Sequence, residues 1–493
     1  MEKQKSLTLN YIMNVILSLS SFIFPLITFP YISRILLPLG MGKVSFATSV
    51  ISYFSMLAQL GIPTYGITVC AKVRDNRKEL SKTVHELLII NLIMCMISYT
   101  LFIIALITIP KLNNERTLYL VVSCSIIFNS IGMEWLYKAL EQYTYITIRS
   151  TIFKFIALIA MLVFVHTQSD YIIYGGITIF AASASNICNL INVHKYIDLK
   201  PIGNYSIKKH LKNVCIFFMM TCATTIYTHL DTVMLGFMVN DESVGYYNAA
   251  VKIKTILVSF VTSLGVVLLP RASYYIEHGQ FIEFKRITKK ALNFVIVFSL
   301  PLVVYFILFA KEGIYFLSGN NYAGSIVPMK IIMPTLLLIG ITNVLGIQIL
   351  IPLGKEIKVL YSELAGAFVN VILNAIFIPK YAAAGAAFGT LVAEFVVFVV
   401  QYMSLKNEIG KVFREIQYKK ICIAILISLM LSLVVKRINM NNFLKLLISS
   451  IIFMGSYGTF LLIVKEEIAV NIYIQTLTKL KKIKLLKTKN NSK

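Results

Sequence analysis

The chain has 493 residues, 57% of them apolar, and a mean hydropathy of +0.77, which excludes a water-soluble globular domain. Its net charge of +25 calls for no nucleic acid as partner, because the 47 Lys and Arg sit in short segments between long apolar runs, where they face anionic lipid head groups. Seven cysteines without a CxxC pair, mostly inside apolar runs, suggest neither a disulfide framework nor a zinc site.

About 20 apolar residues cross a bilayer core, and windows of that length find about fourteen candidate spans. In chain order they lie near residues 9–31, 44–63, 84–109, 118–137, 148–165, 171–193, 214–239, 246–269, 290–310, 329–351, 358–378, 382–404, 421–435 and 443–464. The first follows Lys3 and Lys5 as a signal peptide would, yet it runs on for about 20 residues with no small-residue cleavage site and is read as an uncleaved span. With the N-terminus placed in the cytoplasm, the inside segments hold 34 Lys and Arg and the outside segments 8. That asymmetry follows the positive-inside rule and requires an even number of spans with a cytoplasmic tail.

No segment before the tail exceeds about 25 residues, so a catalytic domain has no room outside the bilayer. Phosphate-loop GxxxxGK[ST], HExxH and GxSxG motifs are absent, and no cofactor is implied. The expectation is an all-α polytopic membrane protein that transports and is not an enzyme.

A shift of 200 residues lays Val44–Val50 of the second span over Val244–Ala250 of the eighth. The polar positions match: Thr48, Ser52, Ser55 and Gln59 on one helix, Asn248, Lys252, Thr255 and Ser259 on the other, extended by Thr262. At 100° per residue each set forms a stripe under about 90° wide. The preceding spans carry Asn14, Ser18, Ser21, Pro25 and Thr28, and Thr221, Thr224, Thr228 and Asp231. A same-direction repeat of six spans implies two six-helix lobes, 1–200 and 201–410, followed by two helices and a basic tail in 411–493. Polar seams of this kind would line a water-filled cleft between the lobes, whereas single Ser and Thr residues commonly hydrogen-bond their own helix.

Several segments carry a family resemblance. They are Phe29-Pro30-Tyr31-Ile32-Ser33-Arg34-Ile35-Leu36, Gly61-Ile62-Pro63-Thr64-Tyr65-Gly66 with Arg74-Asp75-Asn76-Arg77, Gly245-Tyr246-Tyr247-Asn248-Ala249-Ala250 with Leu269-Pro270-Arg271, and Asn374-Ala375-Ile376-Phe377-Ile378-Pro379 through Gly385 to Glu394. In these the chain resembles bacterial polysaccharide flippases of the Wzx type, within the multidrug/oligosaccharidyl-lipid/polysaccharide exporter superfamily. The resemblance covers residues 1–410. It implies lobes that rock around a central cavity and move an undecaprenyl-diphosphate-linked oligosaccharide outward across the bacterial cytoplasmic membrane, alongside a polysaccharide polymerase and chain-length proteins.

An ionised side chain at bilayer depth costs about 2.5–3.5 kcal/mol on insertion scales, so each one asks for a reason. Asp231 and Lys252 both lie about 9–12 Å below the outer ends of their spans, at levels that allow pairing. Lys252 could hold a diphosphate as a point charge. Arg34 ends the first span; Lys154 and Glu134 could pair near the cytoplasmic ends of theirs. Asp231, Glu363 and Glu394 are candidates for a coupling ion. Pro25, Pro63, Pro301 and Pro334 are candidate bends. The candidate cleft set is therefore Arg34, Thr48, Ser52, Gln59, Thr228, Asp231, Asn248, Lys252, Thr255 and Ser259, with no metal site.

A multidrug cation antiporter would favour acidic residues in the cleft, whereas here Lys252 accompanies Asp231. A lipid II flippase shares the fourteen-span count. A membrane glycosyltransferase or polymerase handling the same lipid wants a large outer loop with acidic residues, which this chain lacks.

Overall fold

The computed structural model describes residues 7–470, 473, 474 and 478, and among these the chain forms helices and no strand. Helix is the solution the composition demands, because hydrocarbon offers no partner to a backbone amide and a helix satisfies its own. In chain order the helices are α1 Leu7–Gln59, α2 Ile62–Val73, α3 Arg77–Thr108, α4 Pro110–Asn113, α5 Arg116–Ile131, α6 Glu134–Ala139, α7 Tyr143–Phe164, α8 Tyr171–Ile179 and α9 Ser185–Asn192. They continue with α10 Lys208–Met238, α11 Asp241–Glu277, α12 Phe281–Leu308, α13 Ala310–Ser318, α14 Ile326–Ile332, α15 Thr335–Asn343, α16 Glu356–Arg414, α17 Tyr418–Arg437 and α18 Asn442–Ile463.

Among the described residues nine helical stretches are long and apolar enough to cross a membrane. The stretch Ile23–Val73 is interrupted at Leu37, whose φ is 56°, and again at Gly61, whose φ is 73°. The stretch Glu356–Lys406 is interrupted at Ala382, whose φ is 47°. A further candidate, Asn320–Ile332 with Thr335–Leu350, bends by 46° at Pro334. With these breaks counted, every expected span falls on helix, and the chain is an all-α polytopic membrane protein. Pro63 behaves differently from the expected bend: it occupies the first turn of α2, where its missing amide hydrogen costs nothing.

The chain divides into two compact units. The first comprises residues 1–249, 317–324 and 371–386. Its long helices are apolar on the outside. On α7 the exposed residues include Ile152, Phe155, Ile156, Ile159 and Val163, while Thr147 and Arg149 are buried. This inverted pattern suits lipid as solvent, where helices associate by close packing and not by removal of apolar surface from water. Close packing is visible where α1 meets the start of α11. A Cβ on Gly42 would lie 1.6 Å from the Asp241 carbonyl oxygen, and one on Gly245 would lie 2.0 Å from that of Pro38. At the other end of the unit, α2, α3, α6 and the segment after α9 enclose a core of Ile62, Leu80, Val84, Leu87, Trp135, Leu136, Val193 and Ile197. Glu86, fully buried there, accepts hydrogen bonds from the Ser206 amide, Lys209 and His210, which ties the start of α10 and the residue pair before it to α3.

The second unit comprises residues 250–316, 325–370 and 387–493. The α17–α18 hairpin is fastened to α12 by Tyr305, whose hydroxyl lies 2.9 Å from Ser449 Oγ, and by Tyr457, which donates to the Val297 carbonyl at 2.8 Å. Asn293 donates to the buried Glu466 at 2.8 Å, and Glu466 also accepts from the amides of Ile468 and Ala469. Gly340 of α15 admits the methyl groups of Val295 and Val261.

Candidate functional site

The central polar constellation of the first unit forms around Asp231. Helices α10 and α11 are joined by a tight turn at Val239 and Asn240, with the Asn240 side chain accepting from the Ser243 amide. Lys111 pins this end by donating to the Gly236 carbonyl and pairing with Asp241 at 3.2 Å. A hairpin of this kind places residues roughly equidistant from the turn side by side, at about 1.5 Å of rise per residue. Asp231 and Tyr247 satisfy that condition, and the Tyr247 hydroxyl donates to Asp231 Oδ2. On the opposite oxygen, Asn374 from α16 donates to Oδ1 at 2.6 Å. Asp231 is 6% exposed, Tyr247 4% and Asn374 0%. A carboxylate this deep is tolerable only with donors on its oxygens, and Tyr247 and Asn374 supply two of them.

Around it, His229 Nδ1 lies 3.2 Å from Ser49 Oγ and its ring meets Tyr53 edge-on at 6.5 Å. The Tyr53 hydroxyl is buried without a hydrogen-bond partner among the described residues. Tyr247, Asn374, Tyr53 and His229 were absent from the candidate set read from the sequence. Tyr247 and Asn374 lay inside the family-like segments, but a tyrosine counts as apolar in a polar-stripe search, and Asn374 is 143 residues from its partner.

The expected pairing of Asp231 with Lys252 joins residues of different units, Asp231 in the first and Lys252 in the second. Within α11, Lys252 follows Tyr247 by five residues and lies about 140° around the helix from it. Its side chain is half-buried, as is that of Asn248, whose amide nitrogen finds no acceptor among the described residues.

The seam hydroxyls behave uniformly. Thr48 donates to the Val44 carbonyl, Ser52 to Thr48, Thr228 to Thr224, Thr255 to Val251 and Ser259 to Thr255, each at 2.7–2.9 Å to its own helix. Gln59 donates to Ser55 Oγ at 3.0 Å. The donors are thus satisfied internally while the hydroxyl oxygens keep accepting capacity, and Thr228 and Thr255 are exposed, with Thr48, Ser52, Gln59 and Ser259 partly so. The side chains of Asn14, Ser18 and Ser21 lie outside the described ones.

Arg34 is exposed, donates to the Pro30 carbonyl, and passes beside Gly319 of the segment 317–324. Glu134 pairs with Lys138 at 2.9 Å and with the buried Arg149 at 3.2 Å, and Lys154 donates to Ser20 Oγ at 2.9 Å. In the second unit Glu394 is buried and Glu363 exposed.

Comparisons with known proteins bear on most of the chain. The family described as "Polysaccharide biosynthesis protein" matches residues 7–275, and the MatE family matches residues 217–376. The "Putative O-antigen transporter" of Escherichia coli (strain K12) is 24% identical over 408 residues, covering 82% of this chain and 97% of that protein. "Capsular polysaccharide biosynthesis protein CapF" of Staphylococcus aureus is 22% identical over 412 residues, covering 82% and 99%. Among solved structures, lipid II flippase MurJ in an inward closed conformation is similar with a TM-score of 0.70 at 17% identity, covering 94% of this chain and 100% of that one. At that identity the likeness is one of fold.

Proposed function

The chain belongs to the polysaccharide biosynthesis protein family, and from that premise we propose that it is a flippase moving undecaprenyl-diphosphate-linked oligosaccharide repeat units across the membrane for surface polysaccharide assembly. The observation that carries this reading is the relationship to the O-antigen transporter, which extends over 97% of that protein's length. The chain is a transporter and not an enzyme. The MatE match, confined to residues 217–376, keeps a multidrug antiporter as the reading to exclude, and a lipid II flippase is the second alternative.

On this reading the protein lies in the bacterial cytoplasmic membrane with both termini inside, and its substrate reaches it among membrane lipids, with a polymerase and chain-length proteins acting downstream. The lobes 1–200 and 201–410 alternate access, and 411–493 is an addition to them. Arg34, Thr48, Ser52, Gln59, Thr228, Asn248, Lys252, Thr255 and Ser259 line the path. Partly exposed oxygens along otherwise apolar helices suit a glycan with many hydroxyls, and Lys252 supplies a positive point charge to the diphosphate. Asp231, Glu363 and Glu394 are the candidate coupling groups; Asp231 is favoured by its burial beside Tyr247 and Asn374.

Lys252→Ala that inserts at normal levels should fail to export lipid-linked oligosaccharide in a flippase-deficient strain, whereas Lys252→Arg should retain part of the activity by keeping the charge. Full export by Lys252→Ala would remove this residue from the path. Resistance to cationic drugs without any glycan export would favour the antiporter.

A further inference from the structure

A cavity of about 780 Å³ lies within the first unit, away from Asp231, where the turn after α2, the turn after α6 and the end of α9 converge. Its wall includes Arg74, Arg77 and Lys195, the amide side chains Gln142 and Asn192, and Tyr145. The Arg74-Asp75-Asn76-Arg77 segment is one of the family-like motifs, and none of the roles assigned so far uses it.

The wall is rigidly built. Arg77 donates from Nε to Asp198 at 2.8 Å and from its terminal nitrogens to the carbonyls of His194, Lys195 and Ile197. This clamps the chain after α9 across one side and leaves the Lys195 side chain exposed. Arg74 gives Nη1 to Glu141 at 2.7 Å, a bond that raises its already high pKa, and a guanidinium has four further N–H groups to offer. The Tyr145 hydroxyl is turned inward to the Cys188 carbonyl at 2.9 Å, and its ring stacks on Tyr137 at 5.1 Å. Asp75 is the one carboxylate in the wall, with Glu141 and Asp198 behind the arginines. The donors that Arg74 keeps free, the Lys195 ammonium and the side-chain amides of Gln142 and Asn192 share one wall, and together they form a receptor for a phosphate group carried on a hydroxylated body.

We propose that this cavity binds a phosphate-bearing lipid headgroup. The inference concerns binding alone and stands whether or not the protein transports glycans. Two lipids present that chemistry, an anionic phospholipid and a polyprenyl diphosphate.

The test uses delipidated full-length protein titrated with short-chain phosphatidylglycerol, geranylgeranyl diphosphate, inorganic phosphate and short-chain phosphatidylcholine, with retention read by native mass spectrometry. Phosphatidylglycerol or the diphosphate should bind more tightly than phosphatidylcholine, and whichever binds better identifies the source. Lys195→Glu, which reverses an exposed charge and should leave thermal unfolding unchanged, should weaken that binding about tenfold or more, as expected for a hydrogen bond to a charged group. Gln142→Ala should weaken it by a smaller factor. Equal binding of phosphatidylcholine, binding unaffected by Lys195→Glu, or inorganic phosphate binding as tightly as either lipid would each overturn the proposal.

Discussion

A single buried carboxylate shows how position decides what a charge can do. Asp231 is held by Tyr247 and Asn374, so removing one donor strands part of a buried ion. Tyr247→Phe should lower stability by about 1–3 kcal/mol, measured as thermal or denaturant unfolding in detergent. Asp231→Asn separates two roles: loss of export with an unchanged unfolding temperature marks a coupling group, and a parallel fall in both marks a structural one. A more exposed carboxylate, Glu408, makes the opposite case. The Lys355 ammonium, 2.7 Å away, hydrogen-bonds Glu408 and holds its carboxyl below the usual range. Because the folded value is depressed, the stabilisation is present above the unfolded value of about 4.3 and is lost as pH falls through the folded value. The effect should be small, since both groups are partly exposed. Comparing unfolding temperatures of wild type and Lys355→Gln should show a difference at pH 6 that vanishes in acid; a constant difference would mean the pair contributes nothing through its charge.

At the level of elements, the tightest geometry is the crossing of α1 with the start of α11. Gly42 and Gly245 each meet backbone, which cannot swing aside as a side chain can. Gly42→Ala and Gly245→Ala should therefore lose folded protein sharply, read as the monodisperse fraction after detergent extraction. Gly455→Ala and Gly458→Ala in α18 are the control, because a Cβ there meets nothing within 4 Å. These should be neutral or stabilising by up to about 1 kcal/mol, the ordinary gain of alanine over glycine in a helix. Similar losses at all four positions would point to general intolerance of α-helical glycine replacement and not to the crossing. The same crossing accounts for Gly245 heading a family-like segment: its neighbours Tyr247 and Asn248 are aimed by a helix whose start is fixed against Pro38.

For the whole molecule the testable quantity is orientation. The count of 34 cations against 8 predicts that Asn204 and Asn240 lie on opposite sides of the membrane, 204 inside and 240 outside. Reporter fusions at the two positions should give opposite signals, and the same signal at both would sink the orientation and the lobe arrangement with it.

The spans were legible in the sequence because a bilayer imposes a length and a polarity on every segment that crosses it, and both are properties of contiguous residues. Asp231 was legible as an expensive charge for the same reason. Its partners were not, since Tyr247 reads as apolar and Asn374 arrives from 143 residues away. The interruptions at Leu37 and Ala382 also escaped, because non-glycine residues carry the positive φ there and nothing local announces it. The cavity at Arg74 and Lys195 joins residues more than a hundred positions apart. Hydropathy and charge are sums along the chain, whereas a hydrogen bond or a cavity depends on which distant segments packing brings within a few ångströms, and only the tertiary structure decides that.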